Sequence, residues 1–449
     1  MNFRDIKNIH FVGIGGIGMS GIAEILSNAG VSVSGCDLKR SASTDLLATR
    51  GIHVTIGHDP SHLEGVDVVV VTSAVKGNNP EIDAALDRGL RVMKRKEMLG
   101  QIVNAKRGIG VSGTHGKTST CAMIATLLQQ SGLDPTVLVG GMLRNFGTNA
   151  KTGAGDLLVV EADEYDRTFH ELKPEIAVVT NIEADHLEYY GSLEAILESF
   201  RIFLSGVREE GVVIGCIDEP NVAEALANAP RRIVRYGLSA AADVRATNLR
   251  FHERGSSFDV AGIGYFKLFV PGEHNVRNAL AAIAVGRELG LDGDAISSAL
   301  AKYLGVDRRF QLLGEFEGAL IVDDYAHHPT EVLATLNAAR GGFPNRRLVA
   351  LFQPHLYSRT RDFAREFGEA LRVADVALVA PIFAAREAPL EHITSRLISD
   401  AVPDVELLEL PNAQLIEELR RRLRPNDIFI AMGAGDVHEV AEALARGTA

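Results

Sequence analysis

The stretch Gly110-Val-Ser-Gly-Thr-His-Gly-Lys-Thr-Ser119 decides how this 449-residue chain is read. An apolar approach precedes it and a helix-like run over residues 121–130 follows. A glycine-rich turn that enters a helix exposes unpaired backbone N–H groups at the positive end of the helix dipole. Lys117 adds a mobile positive charge and Thr118 a hydroxyl suited to Mg²⁺. Gly113, Thr114, His115, Gly116, Lys117, Thr118 and Ser119 therefore form a candidate seat for the phosphates of ATP or GTP. The strict phosphate-loop pattern is not met, because Val111 stands where its first glycine belongs. A strand-to-helix turn without a ligand is the competing reading.

Working outward, residues 9–12 read as a buried strand, followed by Gly13-Ile-Gly15-Gly-Ile-Gly18 and a helical run to about Asn28. Residues 31–35 form the next strand, with Asp37 at its end, and 66–72 a third, an uninterrupted β-branched run of the parallel-sheet kind. Gly13-x-Gly15-x-x-Gly18 with Asp37 nineteen residues after Gly18 is a dinucleotide-type fingerprint. It suits NAD, FAD or the diphosphate of a UDP-sugar equally. Alternating strands and helices imply a doubly wound first domain over 1–105.

A second α/β unit starts at Arg107, with strands at 108–112, 157–161 and 176–180, a strand-rich stretch at 211–270, and an alanine-rich helix at 279–289. A third begins near Phe310, with strands at 320–323, 347–352, 376–380 and 428–432. Gly341 to Asn345 and Pro425-Asn426 read as turn punctuation. The fold expected is α/β in three domains: Rossmann-like over 1–105, a phosphate-loop ATPase type with added antiparallel strands over 106–309, and Rossmann-like over 310–449.

Composition bounds the partners. Hydrophobic residues make up 46% and charged residues 23%, as in globular proteins. The formal charge of −12 argues against general nucleic-acid binding, since no positive field attracts a phosphate backbone. Cys36, Cys121 and Cys216 are too scattered for a metal motif or a disulfide framework, which fits a reducing cytosol. The charged start reads as no signal peptide, and no stretch reaches the length of a membrane span.

Further clusters follow the strands. Glu161-Ala-Asp163-Glu164 sits where Mg²⁺ ligands of nucleotide sites gather, and Glu161 is the expected ligand. Asn181-Ile-Glu-Ala-Asp185-His186 repeats the pattern one strand later, with His186 a candidate for a second cation or a substrate carboxylate. Asp323-Asp-Tyr-Ala-His327-His328-Pro-Thr-Glu331 suits either a metal site or a helix N-cap with an acidic first turn. Gln353-Pro-His355-Leu-Tyr-Ser-Arg359 offers cations for a carboxylate or phosphate, or simply a basic helix start. Gly433-Ala-Gly435-Asp436 reads as a tight turn.

With Gly13 to Gly21, Gly113 to Thr118, and the acidic and histidine clusters in this order, the chain resembles the Mur ligases. These are the ATP-dependent amide-forming enzymes of peptidoglycan precursor synthesis, and the likeness is greatest to their alanine-adding branch. It runs from about residue 10 to residue 436. It implies UDP-N-acetylmuramate and L-alanine as small-molecule substrates, ATP and Mg²⁺ as cofactors, no membrane insertion, a cytoplasmic monomer or homodimer, and an acyl-phosphate intermediate.

The roles the resemblance implies are specific. Gly13, Gly15, Gly16, Gly18, Asp37 and Ser73 would face the sugar nucleotide. Lys117 would contact the ATP phosphates, Thr118 and Glu161 one Mg²⁺, and His186 a second. His274, Asn275 and Asn278 would lie on the adenine side, Arg309 would reach the γ-phosphate, and Asp324 would serve the nucleotide. His327, His328 and Arg359 would serve the alanine. Other branches use a carbamoylated lysine, but no lysine occurs between Lys173 and Lys267. Leu356 replaces an arginine many relatives carry, which leaves Arg359 as the carboxylate contact. Tyr165 and Arg167 stand where smaller residues are expected. A tripeptide-recycling ligase of the same family, an NAD-dependent oxidoreductase and a nucleotide-gated interaction module remain as alternatives.

Overall fold

The computed structural model describes residues 6–75, 78–253, 255–385 and 387–447, and among them no helix is long and apolar enough to cross a membrane. The charged start, residues 1–5, lies outside them. The chain divides into two compact units, Met1–Arg245 with Arg277–Ala299, and Ala246–Val276 with Leu300–Ala449.

The first unit holds two sheets. One has five parallel strands in the order His53–Ile56, Ser32–Asp37, Asn8–Val12, Val68–Val71, Arg91–Lys94. Val68–Val71 has no polar side, and its first three residues are buried. In the other, Arg232–Gly237, Val212–Cys216, Ile176–Val179, Arg107–Ser112, Leu157–Glu161 and Thr136–Leu143 run parallel, and Thr148–Lys151 closes the edge antiparallel. A single apolar cluster joins both sheets, from Ile22 and Leu26 through Leu138 and Ala150 to Phe169, Phe200 and Phe203. Gly21 permits this closeness, since a Cβ there would fall 2.4 Å from Leu138 Cδ1.

The second unit contains an antiparallel ladder and a six-stranded sheet. The ladder pairs Ala246 with Val260 and Val260 with Gly264. The sheet runs Gln311–Phe316, Ala319–Asp324, Asp427–Met432, Arg347–Phe352, Val376–Val379, Val405–Leu407, parallel except for its first strand. Leu336, Phe343, Phe352 and Phe367 fill one side, and Phe429, Leu415 and Leu444 the other.

The α/β class read from sequence is what forms. Three helix boundaries differ. Lys117–Gln130 starts four residues before Cys121, because Gly116 serves as its cap and Lys117 is already helical. Glu273–Glu288 starts well before Ala279, so His274, Asn275 and Asn278 occupy its first turns, where Glu273 suits the dipole. Gly341 and Gly342 end the helix Pro329–Gly342 instead of forming a turn. Burial of Phe343, whose N–H still donates to Ala339 O at 2.8 Å, draws the helix end onto the core.

Candidate active site

Parallel register assembles the candidate phosphate loop. Val179 lies opposite Ser112, so Thr180 and Asn181 emerge beside Gly113 to His115. Asn181 O accepts from Thr114 N at 3.1 Å, its Oδ1 from His115 N at 2.7 Å, and its Nδ2 donates to His115 O at 3.0 Å. Thr180 Oγ1 donates to His115 O at 2.6 Å, and Glu183 N–H donates to Thr114 Oγ1 at 2.9 Å. Gly113 has φ +139°, and a Cβ there would meet Thr180 Oγ1 at 2.0 Å, so only glycine fits. Asn278 Oδ1 accepts from Thr120 Oγ1 at 3.1 Å in the first turn of the following helix. Sequence reading did not single out Thr180 and Asn181 as anchors of the loop; their position at the end of a strand was the only signal.

Lys117 is held among acids. Its Nζ donates to both carboxylate oxygens of Glu164, at 2.8 and 2.9 Å, and to Gly113 O at 2.5 Å. Burial opposes the ammonium charge, but Glu164, Asp163 and Glu161 outweigh it and raise the lysine above its ordinary range. Glu161 ends the strand Leu157–Glu161 and lies beside the loop through the Val111–Glu161 pairing. Its Oε1 is buried and makes no hydrogen bond, an arrangement that an oxygen-seeking cation resolves. Glu161 and Asp163 border a cavity of about 140 Å³ with Gly18, Arg95, Gly140 and Thr168. Thr118, half-buried in the helix's first turn, offers a hydroxyl and Glu161 a carboxylate, oxygen donors of the kind Mg²⁺ takes.

His186 has φ +54° at the start of the short helix Leu187–Tyr190, and its ring lies 5.0 Å from that of Tyr165. Asp166 and Arg167 also have positive φ, +54° and +52°. Three left-handed non-glycine residues around one acidic loop are a concentration of strain typical of ligand-binding sites. Arg167 extends over Tyr189 and Tyr190, 5.8 and 5.9 Å from their ring centres.

The first glycine turn borders a separate pocket of about 700 Å³, lined by Gly13, Gly15, Gly16, Asp37, Thr72 and Asn79 among others. Asp37 Oδ2 accepts the Gly15 N–H at 2.8 Å, which ties the acid to the turn. Gly18 faces the smaller cavity with Glu161 instead, and Ser73 is exposed between Thr72 and Ala74, which line the larger one.

The second unit gathers the other candidates at the ends of its strands. Asp324 Oδ2 accepts from Phe310 N at 2.7 Å and Oδ1 from Ala326 N at 2.8 Å; burial pushes its carboxyl up, against the pull of Arg309. Arg308 and Arg309 both lie over the Tyr325 ring, at 5.0 and 5.1 Å from its centre. His327 Nδ1 faces Tyr325 O at 3.0 Å and Glu331 Oε2 at 3.1 Å. Two acceptors there call for an N–H at Nδ1, so Nε2 is the ring nitrogen left to meet a substrate group. His328 is buried and packs edge-on against Phe363, at 5.1 Å. Arg359 is buried in the first turn of Tyr357–Leu371, a helix entered through Leu356 at φ +73°. The Gly433 to Asp436 turn does more than reverse the chain. Arg308 donates to Gly433 O at 2.7 Å and Gln353 Nε2 to Asp436 Oδ1 at 2.7 Å. His274 lies against Gly272, and Asn275 donates to Pro271 O at 2.7 Å.

Known proteins share this organisation. Residues 8–107 match the family described as Mur ligase family, catalytic domain; 111–286 match the Mur ligase middle domain; 308–435 match the Mur ligase, glutamate ligase domain. The chain is 46% identical to the UDP-N-acetylmuramate–L-alanine ligase of Geobacter sp. (strain M21), over 98% of each chain. It is 45% identical to that of Salinibacter ruber, over 98% of this chain and 94% of that one. The crystal structure of the UDP-N-acetylmuramate-alanine ligase of Thermotoga maritima matches 98% of this chain and 99% of its own, with a TM-score of 0.80 at 29% identity. By its three matched segments and its full-length likeness to these enzymes, the chain belongs to the Mur ligase family.

Proposed function

We propose that this chain joins L-alanine to the carboxylate of UDP-N-acetylmuramate in the cytoplasm, converting ATP to ADP and phosphate through an acyl phosphate. The observation that carries the site assignment is the backbone cradle of residues 113–116, clamped by Asn181, with the Lys117 ammonium at its mouth. Segments 1–105, 106–309 and 310–449 are assigned to the sugar nucleotide, the ATP and the amino acid, an arrangement supported by the three matched family segments.

A carboxylate is a poor acylating agent, and phosphoryl transfer to it creates a good leaving group. The Lys117 ammonium and the N–H groups of the loop bind and orient the triphosphate for that transfer. Thr118 and Glu161 would hold one Mg²⁺ and His186 a second, which when bound neutralises phosphate charge. Gly13, Gly15, Gly16 and Asp37 hold the diphosphate end of the sugar nucleotide. In the second unit we assign Arg359 to the alanine carboxylate and His327 Nε2 to the amine proton. Loss of that proton frees the nitrogen lone pair, which forms the C–N bond of a tetrahedral intermediate; its collapse breaks the C–O bond to phosphate, and the departing phosphate takes the second amine proton. His328, packed on Phe363, positions the helix start beside it. Arg309 is assigned to the transferred phosphoryl group.

The test supplies UDP-N-acetylmuramate, ATP and Mg²⁺ with single amino acids or a tripeptide, and reads phosphate release and product mass. L-alanine should be incorporated most efficiently. Preferential use of the peptide would move the chain to the recycling branch, and no acceptor-dependent release would end the proposal.

A further inference from the structure

Behind the glycine turn of the first sheet, four side chains converge on one point that the ligase chemistry does not use. Cys36 Sγ–H donates to Glu81 Oε2 at 2.8 Å, and His62 Nδ1–H donates to Glu81 Oε1 at 2.6 Å. His10 Nε2 faces Glu81 Oε2 at 3.5 Å. All four ligand atoms lie within 4.8 Å of one another. His58 Nδ1 adds a fifth donor atom and a third nitrogen, 3.1 Å from Cys36 Sγ and 3.6 Å from Glu81 Oε2. The cluster is no solvated acidic patch: Glu81 is 0% and His10 1% exposed.

Two observations point to a ligand. His10 Nε2 is buried and aims into the cluster, with Glu81 Oε2 at 3.5 Å as an ion-pair partner but no well-formed hydrogen bond. Its other ring nitrogen, Nδ1, is fixed by Ser34 Oγ at 2.9 Å, the outer contact that orients a metal-binding histidine. Asp59 N–H donates to Glu81 Oε1 at 3.0 Å, and Asn79 caps the helix that carries Glu81, so the carboxylate is oriented as well.

We propose that His10, Cys36, His62 and Glu81 form a binding site for one divalent transition-metal ion of the zinc class. A thiol, two imidazoles and one carboxylate are the mixed S, N and O donors that zinc takes in four-fold coordination. Tetrahedral bonds of about 2.0–2.3 Å require ligand atoms roughly 3.3–3.8 Å apart. The present separations of 2.6, 2.8 and 3.5 Å approach that spacing with a small opening of the cluster. Binding replaces the S–H proton of Cys36 with the metal and releases it to solvent, while the His62 proton moves from Nδ1 to Nε2. Zinc would join the strands Asn8–Val12 and Ser32–Asp37 to the helix Pro80–Asp87 and the short turn Pro60–Leu63. Cys36 O also accepts the N–H groups of Gly13 and Ile14, at 2.9 and 3.0 Å, so the ion would brace the turn that borders the larger pocket.

The experiment titrates the full chain with Zn²⁺ against a chromophoric chelator, and with Co²⁺ while recording the near-ultraviolet thiolate-to-metal band. One equivalent of Zn²⁺ should bind, and Co²⁺ should develop the band. Cys36→Ser should abolish the band and weaken Zn²⁺ binding at least ~100-fold, while Cys121→Ser and Cys216→Ser leave both intact. Cobalt at the Glu161 or His186 positions gives no thiolate band, so the two sites are distinguished. If Cys36→Ser does not fold, His62→Gln, altered at the more exposed edge, should weaken zinc at least ~10-fold with the fold retained by circular dichroism. Failure of the chain to hold zinc, or a cobalt band that survives Cys36→Ser, would overturn the proposal.

Discussion

Glu164 grips Lys117 through both carboxylate oxygens, at 2.8 and 2.9 Å from Nζ, while itself only 4% exposed. The ammonium we assign to a triphosphate is thus held in place by a buried anion. The phosphate charge has to draw it from, or share it with, Glu164.

Lys117→Ala removes the cation and not the cradle. Phosphate release dependent on UDP-N-acetylmuramate and alanine should fall by ~10³-fold or more, the scale of a lost cation on a transferring phosphoryl group. Near-normal turnover would take Lys117 out of the phosphate seat.

Glu164→Ala leaves the ammonium in its pocket without its main counter-charge. Destabilisation of about 3 kcal/mol is expected, as for other broken buried pairs, and should be read as a lower first thermal transition. An unchanged transition would mean that Gly113 O and the remaining acids suffice.

Glu161→Gln keeps the shape and removes the charge. Because Glu161 Oε1 makes no hydrogen bond, the metal-free fold should lose little. The Mg²⁺ concentration for half-maximal turnover should rise at least ~10-fold. A Mg²⁺ dependence equal to that of the parent would remove Glu161 as a ligand.

Arg359→Ala should raise the KM for alanine more than that for ATP, since it is assigned to the amino-acid carboxylate. The opposite order in steady-state kinetics would reassign it to the nucleotide.

Asp323 supplies a pH test. Burial raises its carboxyl from 3.8 to about 6, against the pull of Arg308, whose Nε lies 3.4 Å away. A carboxyl raised on folding favours the fold when protonated. That contribution is complete below 3.8 and is lost as pH rises through about 6. Asp323→Asn should therefore gain stability relative to the parent as pH rises from 4 to 7, with a ceiling of about 3 kcal/mol. Parallel stability curves across that range would show that Asp323 does not titrate there.

The strands with continuous apolar runs and the glycine turns were legible in the sequence because such runs and glycine spacing are local signals, whereas His53–Ile56, Arg91–Lys94, Thr136–Leu143, Thr148–Lys151, Gln311–Phe316 and Val405–Leu407 were not read. Leu157–Glu161 and Arg347–Phe352 form over the residues that the pattern indicates. Helix starts were less legible. Lys117 and His274 sit in first turns whose polar residues carry no apolar period, so the pattern begins only where the buried face does.

Local chemistry alone determined that this chain has a glycine-rich strand-to-helix turn at 113–118, acids after the next strands, and an α/β architecture. Tertiary structure alone decided which acid does what. The pairing of Val111 with Glu161 and of Ser112 with Val179 brings strand ends from distant positions around one loop. It gives Lys117 to Glu164, leaves Glu161 an unpaired oxygen, and makes Asn181 the clamp of the loop. Spacing along a chain carries no record of register between strands, and register sets which side chains share a space too small for an unpaired charge.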